Sequence, residues 1–206
     1  MTAVRGVMLA SMIDDFAKAY LHDDIREARQ SLLGRLDGVS EYDARRPLTR
    51  TGTNLLGLIK HVTMSEAWYF GVVFGRPYSG QLPRFDDPGY ANRDSLWVEE
   101  HQSRADIVDG YKRACDHADA TIEALPIDAA GYVPWWPQPD VKLFNVMVHV
   151  LSESNRHAGH ADILREQLDG VVGANLSKSI DIDDADWAVY RARIETAARA
   201  AAGLDS

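Results

Sequence analysis

The stretch VMVHVLSESNRHAGHADILREQLDG, residues 146–170, decides the fold class. Its apolar residues recur at spacings of three and four, which places Val150 and Leu164 on the same face of a helix. Gly170 follows the last of these positions and is typical of a helix end. The stretch therefore predicts a long amphipathic helix, from about Leu143 to Leu168, whose apolar face packs in a protein core.

Most of the chain outside this stretch shows the same helical period. It predicts four further helices, from about Ser11 to Leu36, from Thr53 or Asn54 to Phe74, from Ser103 to Leu125 and from Asp184 to Ala202. No segment shows convincing strand alternation, and residues 75–94 and 126–140 are predicted as loops. The predicted fold is all-α, an up-down four-helix bundle with long inter-helix loops and an additional C-terminal helix. We expect one domain over residues 1–206, with a core of about 11–170 and an extension over 171–206.

The composition is that of a globular protein, with 46% hydrophobic and 26% charged residues. The net charge is -9 and the basic residues are scattered, which argues against a nucleic-acid partner and against anionic membranes. The single cysteine excludes an intrachain disulfide, and no apolar run is long enough to span a membrane, so we expect a cytoplasmic protein. The sequence lacks the common phosphate-binding, dinucleotide-binding, serine-hydrolase and zinc-protease motifs.

Three polar residues, Glu153, His157 and His160, interrupt the apolar face of the helix within residues 146–170. Burying a carboxylate is costly unless a partner compensates, and a metal ion is one such partner. Glu153 and His157 lie one helical turn apart, so both can reach one cation. His61 interrupts the apolar face of the second predicted helix in the same way. Together His61, Glu153 and His157 would form a two-histidine, one-carboxylate site with open positions, the pattern of a catalytic metal centre.

Each of these polar residues also has a structural interpretation. A single histidine on a core face is commonly satisfied by packing, and Glu–His pairs one turn apart form ion pairs on many helices. His160 would be an outer partner of the ligands, a proton shuttle or an alternative ligand. His149, one turn before Glu153, would contact the site or pack in the core.

Further candidates lie in the loop before the site helix and on its other faces. Trp135 and Trp136 stand between prolines, where they would form the wall of a substrate pocket or pin the loop to one end of the bundle. Arg156 would clamp an anion or form a surface ion pair. Cys115 has no supporting motif and is expected to pack rather than to react. His22 belongs to no cluster in the sequence and is expected to be solvated.

The residues around these candidates resemble a known family. GTNLLGLIKHVTMSEAWYFGVVFGRP, residues 52–77, followed by the stretch over residues 146–170, resembles the DinB/YfiT-like superfamily of metal-binding four-helix bundles. The resemblance covers about residues 20–170 and is closest to actinobacterial members of unknown function. The mycothiol-dependent maleylpyruvate isomerase is a more distant relative.

The resemblance implies roles for individual residues. In that superfamily one histidine of the second helix and a His/Glu-x3-His pair of the last bundle helix hold the metal, and these positions match His61, Glu153 and His157. A further family histidine, three residues on, matches His160. Glu66 fills a variable acidic position, but the helical wheel turns it away from His61, so we do not expect it to be a ligand.

The resemblance also implies a function. It points to a divalent metal, zinc or nickel, and to thiol-dependent transferases that act on a small-molecule electrophile and form a homodimer. We therefore expect a metal-dependent enzyme in which the metal activates a low-molecular-weight thiol, such as mycothiol, for S-transfer or isomerisation. One alternative is a hydrolase that uses metal-bound water, with His160 or His149 moving protons. Another is a non-catalytic bundle that binds a metal or a ligand.

Overall fold

A computed structural model describes residues 2–80, 93–172 and 184–204 of the chain, and within these ranges it is mostly helical. The α-helices are α1 (Thr2–Gly34), α2 (Glu41–Arg45), α3 (Leu55–Tyr69), α4 (Arg104–Ala124), α5 (Leu143–Asp169) and α6 (Asp184–Ala201). Two short strands, β1 (Ala130–Tyr132) and β2 (Asp140–Lys142), pair antiparallel. The all-α class predicted from the sequence is therefore confirmed in its main feature.

The ends of the long helices follow from local hydrogen bonds that the sequence signals. Asn54 caps α3, because its side-chain oxygen accepts from the backbone N–H of Gly57 at 2.8 Å. Ser103 caps α4 in the same way, with the N–H of Asp106 at 3.0 Å. Helix α5 ends at Gly170, which adopts the left-handed conformation with φ of 75°. These caps set the start of α3 and the end of α5, the two helices that carry the candidate site.

Two predicted helix boundaries were wrong. Helix α1 begins at Thr2 rather than Ser11, since the preceding residues contain no proline that would stop a helix. Helix α3 ends at Tyr69 rather than Phe74, because Gly71 leaves the helical region with φ of -101° and ψ of -85°. The segment Val72–Phe74 continues as a 3₁₀ turn.

The connection over residues 126–140 contains a strand of the β1–β2 hairpin, which the sequence analysis did not predict. Gly131 of β1 pairs with Val141 of β2, and a Cβ atom on Gly131 would lie 2.7 Å from the ring of Phe74. Strands of three residues are too short to show the alternation by which strands are recognised. The prediction of a structureless loop was therefore wrong here. In the other predicted loop, residues 75–94, residues 81–92 lie outside the described residues.

The four long helices of the first part of the chain pack around a shared core. Helix α1 contacts α4 and α5, and α3 also contacts α4 and α5. The core consists of two clusters of buried apolar residues, and α5 contributes Val150 to one and Ala158 to the other. Glu153 and His157 lie between these two positions on α5, so the helix carries its polar residues between the two clusters.

A buried ionic network joins α1, α3 and α4. The guanidinium of Arg29 donates to both carboxylate oxygens of Glu66, each at 2.7 Å, and also donates to Asp119. Glu66 is fully buried. The imidazole Nε2 of His22 lies 2.9 Å from Asp119 and the His22 side chain is buried, so the expectation of a solvated His22 was wrong. Its partner stands 97 positions away, which is why the sequence showed no cluster.

The chain forms two compact units, Met1–Val171 and Val172–Ser206. The described part of the second unit consists mainly of α6. Among the described residues, every helix is too short or too polar to cross a lipid bilayer.

Candidate metal centre

Two helices bring two imidazoles around one carboxylate. The Nε2 atom of His157 lies 3.0 Å from Oε1 of Glu153, and the Nε2 atom of His61 lies 3.4 Å from the same oxygen. One ligand-type atom from each of the three residues lies within 4.8 Å of the others. The rings of His61 and His157 are 4.8 Å apart and nearly perpendicular. The structure therefore places the three predicted ligands together.

Burial and neighbouring charges shift the pKa values of His157 and Glu153. Burial lowers the pKa of His157, and the neighbouring His61 lowers it further, against the opposing effect of Glu153. Burial raises the pKa of Glu153, but hydrogen bonds and charge from His157 and His61 outweigh it and bring the pKa below its usual value. A neutral imidazole and an ionised carboxylate are the forms that bind metal ions.

The donor set fits a divalent metal. Two imidazole nitrogens and one carboxylate oxygen suit zinc or nickel, and three protein ligands leave coordination positions open. Hydrogen bonds within the cluster do not satisfy it, because the Nδ1 atom of His61 is buried and has no hydrogen-bond partner among the described residues.

His160 and Arg156 contact the candidate ligands from outside. The Nδ1 atom of His160 lies 3.4 Å from Nδ1 of His157, and the His160 side chain is exposed. The carboxylate of Glu153 can only accept, so Nε2–H of His157 donates to it, and Nδ1 of the neutral His157 ring accepts from His160. Arg156 is 63% exposed and lies 3.4 Å from Oε2 of Glu153, an exposed ion pair with the second carboxylate oxygen.

His149, Trp135 and Trp136 belong to an aromatic cluster around Tyr69. The Tyr69 hydroxyl accepts from the indole N–H of Trp135 at 3.3 Å and of Trp136 at 3.2 Å. The His149 ring lies 4.6 Å from Tyr69 and 4.8 Å from Trp136, and burial lowers its pKa. Within the described part of the chain, His149 makes no hydrogen bond to the three candidate ligands.

A cavity of about 550 Å³ opens beside the centre on the side of His157 and His160. The start of α3 and the segment Arg93–Trp97 also border it. Trp136 instead borders a separate depression of about 350 Å³. Sequence reasoning missed the contribution of Arg93–Trp97, since these residues lie at the end of the predicted loop over residues 75–94 or directly after it, and carry no motif that links them to α5.

Cys115 does not contribute to the centre. Burial is the main cause that raises the pKa of its thiol well above the usual value, and the charge of Glu66 acts in the same direction. A buried, protonated thiol is a poor nucleophile. Its packing against the core agrees with the expectation from the sequence.

Comparison with known families decides the affiliation of the chain. The family model described as mycothiol S-transferase matches residues 20–170, a range that contains His61, Glu153 and His157. The chain belongs to the mycothiol S-transferase family. The resemblance to the DinB/YfiT-like superfamily is thereby confirmed, and family membership indicates a mycothiol-related transferase. Residues 171–206 lie outside the match. No curated protein matches the chain.

Proposed function

We propose that the protein transfers mycothiol to a small-molecule electrophile, with a divalent metal, zinc or nickel, held by His61, Glu153 and His157. The observation that carries the proposal is the convergence of three ligand-type atoms from α3 and α5 within 4.8 Å. The family match supports the class of thiol. We also propose that α1, α3, α4 and α5 form an up-down four-helix bundle, which their mutual packing supports.

The three residues suit thiol activation. When bound, a divalent metal lowers the pKa of a coordinated thiol and so supplies a thiolate near neutral pH. Glu153 is the only anionic group of the three, so the positive charge of a divalent ion is only partly neutralised and an anionic sulfur is favoured. The contact of 3.4 Å between Nδ1 of His160 and Nδ1 of His157 holds the His157 ring with Nε2 towards Glu153. His160 is therefore proposed as a positioning residue.

The half-buried position of the cluster also serves this chemistry. The side chains of His61, Glu153 and His157 are 22%, 21% and 13% exposed, so a small molecule can reach them while much of the surrounding water is excluded. Electrostatic interactions are stronger where water is excluded. His149 and the two tryptophans pack on the same helix one turn away, where we propose that they support α5 rather than contact the thiol.

Metal content is the first test. The purified protein is expected to contain about one equivalent of zinc or nickel by elemental analysis, and adding the metal to chelator-treated protein should raise its melting temperature. The His61→Ala and His157→Ala variants should lose both properties. The matched control is His101→Ala, since His101 is 72% exposed and lies on no helix of the site. Metal-free protein with no thermal shift would refute the proposed centre.

Thiol dependence is the second test. Turnover of a reactive electrophile is expected only when mycothiol is present, and it should disappear in the His61→Ala variant. Turnover without any thiol would instead favour the hydrolase, with metal-bound water as the nucleophile. A protein that binds metal but turns over no electrophile would favour the non-catalytic interpretation.

A further inference from the structure

The cavity of about 550 Å³ extends from His157, one of the candidate ligands, to the start of α3 and the segment Arg93–Trp97. We propose that it binds the electrophile, and that it selects a compact apolar molecule carrying one anionic group, which Arg93 recognises. This inference rests on the proposed transfer function. We call the space the acceptor cavity.

The position of the acceptor cavity suits a transfer reaction. His157 borders the cavity, and its Nε2 atom lies 3.0 Å from Glu153 within the candidate metal centre. The side chain of His157 therefore belongs both to the candidate metal centre and to the wall of the acceptor cavity. Transfer requires the reacting atoms to approach within about 3–3.5 Å. A molecule in this cavity would therefore contact His157, one of the three candidate ligands.

The walls of the acceptor cavity favour an apolar body. Leu58, Leu96 and Trp97 line it, and Leu96 and Trp97 are 39% and 46% exposed although both are large apolar side chains. Apolar side chains exposed together in a concave surface are typical of a ligand site. The volume lies within the usual range for small-molecule pockets, about 300–1,000 Å³.

Most polar groups of the acceptor cavity already have partners. The Asn54 side chain accepts from Gly57 N–H at 2.8 Å and donates to the Gly52 carbonyl at 3.1 Å. The guanidinium of Arg45 donates to Glu41 and to two backbone carbonyls. Mycothiol is a pseudo-disaccharide with many hydroxyl groups, which need free donors and acceptors. The acceptor cavity thus suits the electrophile better than the thiol.

Arg93 is the arginine of the cavity that has no ion-pair partner among the described residues. Its side chain is exposed, and no described residue forms an ion pair with it. Its φ is 65°, and among the described residues it is the one non-glycine with positive φ. Such backbone conformations cluster at ligand sites, where the surrounding structure enforces them. A guanidinium binds a carboxylate with two parallel hydrogen bonds, so a carboxylate is the anion we assign to it.

The segment that carries Arg93 and Trp97 is held firmly against α3. Lys60 donates from Nζ to the carbonyls of Asp94 and Trp97, both at 2.9 Å. The absence of a side chain at Gly57 permits this contact, because a Cβ atom there would lie 2.1 Å from the Leu96 carbonyl oxygen. The wall is therefore preorganised, as selective binding requires.

A matched pair of electrophiles tests the assignment. 4-(Chloromethyl)benzoate and 4-(chloromethyl)benzamide share the same reactive carbon and differ in charge. In both, the sulfur of mycothiol forms a bond to the benzylic carbon as the carbon–chlorine bond breaks, chloride leaves with the electron pair, and the thiol proton passes to the solvent. We expect the benzoate to have a roughly tenfold higher kcat/KM, since a good charge-assisted contact corresponds to a factor of about ten or more.

Two variants distinguish recognition of the carboxylate by Arg93 from contact with the apolar wall at Trp97. Arg93→Gln should lower kcat/KM for the benzoate about tenfold, mainly through KM, and leave the benzamide unchanged. Arg50→Gln is the control, because Arg50 is an exposed arginine next to Thr51 of the cavity and does not line it. Trp97→Ala should raise KM for both compounds. An Arg93→Gln variant that behaves like Arg50→Gln would overturn the proposal.

Equilibrium binding distinguishes failure of this inference from failure of the proposed function. The unreactive 4-methylbenzoate should bind the wild-type holoprotein, measured by calorimetry without thiol, about tenfold more tightly than 4-methylbenzamide. Arg93→Gln should abolish that difference. This result would support the acceptor cavity even if no electrophile were turned over. Turnover together with equal binding of the two compounds would leave the transferase intact and overturn the role of Arg93.

Discussion

Replacing Gly57 by alanine should displace one wall of the acceptor cavity without touching the candidate ligands. The new Cβ atom would lie 2.1 Å from the carbonyl oxygen and 2.8 Å from the carbonyl carbon of Leu96, and both are backbone atoms. Non-bonded carbon and oxygen atoms need about 3 Å or more, so the segment Arg93–Trp97 must move by about 1 Å. Such a shift stretches the hydrogen bonds from Lys60 at 2.9 Å beyond their useful range.

The energetic balance of this substitution follows from two opposed effects. Alanine in a helix is favoured over glycine by about 1 kcal/mol. Loss of a hydrogen bond from a charged group costs about 1.5–3 kcal/mol, and Lys60 makes two to the segment. If both bonds are lost, we expect a net loss of about 2–5 kcal/mol in the free energy of unfolding, measured by urea denaturation followed by circular dichroism.

The functional effect of Gly57→Ala should be confined to the electrophile. We expect KM for a benzylic chloride to rise several-fold, while metal content and KM for mycothiol stay unchanged. Gly110→Ala is the control, because Gly110 lies within α4 and a Cβ there meets only a flexible arginine end at 3.8 Å. That variant should gain about 1 kcal/mol. If Gly57→Ala gained stability as the control does, with unchanged KM, the close contact between α3 and Arg93–Trp97 would be refuted.

Three further predictions concern the ionic network and the centre. Glu66→Ala should lower the free energy of unfolding by about 3 kcal/mol in urea titrations, because the substitution leaves the buried Arg29 with Asp119 as its one remaining carboxylate partner. A loss below about 1 kcal/mol would contradict this prediction. Burial raises the pKa of Asp119, but hydrogen bonds from His22 and Arg29 outweigh burial and bring the pKa below its usual value. The contribution of Asp119 to the free energy of unfolding is therefore complete above about pH 5 and is lost as pH falls. The stability gap between wild type and Asp119→Asn should therefore narrow below about pH 4 in urea unfolding, and a gap independent of pH would contradict the argument. His160→Ala should weaken metal affinity about tenfold in chelator competition, and unchanged affinity would remove its positioning role.

The sequence alone was sufficient for the existence of the long helices, though not for the start of α1 or the end of α3, and for the choice of candidate ligands. Both depend on local spacing: the period of three and four predicted α5, and a capping residue at Thr53 or Asn54, which the structure shows to be Asn54, predicted the start of α3. The same period placed Glu153 and His157 on one face, one turn apart. The partner His61 was identified because it interrupts an apolar face in the same way. Its distance of 3.4 Å from Glu153 agrees with that reasoning.

Contacts between distant segments were not encoded in any local pattern. The sequence left Arg29, Glu66 and Asp119 unconnected, since each lies on a different helix and their pairing depends on how α1, α3 and α4 pack. The placement of Trp135 and Trp136 around Tyr69 likewise depends on how the connection after α4 folds back.

The sequence by itself determined the three candidate ligands, because helical periodicity assigns a face to each side chain before any tertiary contact forms. Only the tertiary structure decided what lies beside that centre. The acceptor cavity exists because Gly57 permits the backbone of Leu96 to touch α3, and Lys60 holds the segment there. Such a contact depends on shape between remote segments, which residue spacing does not specify.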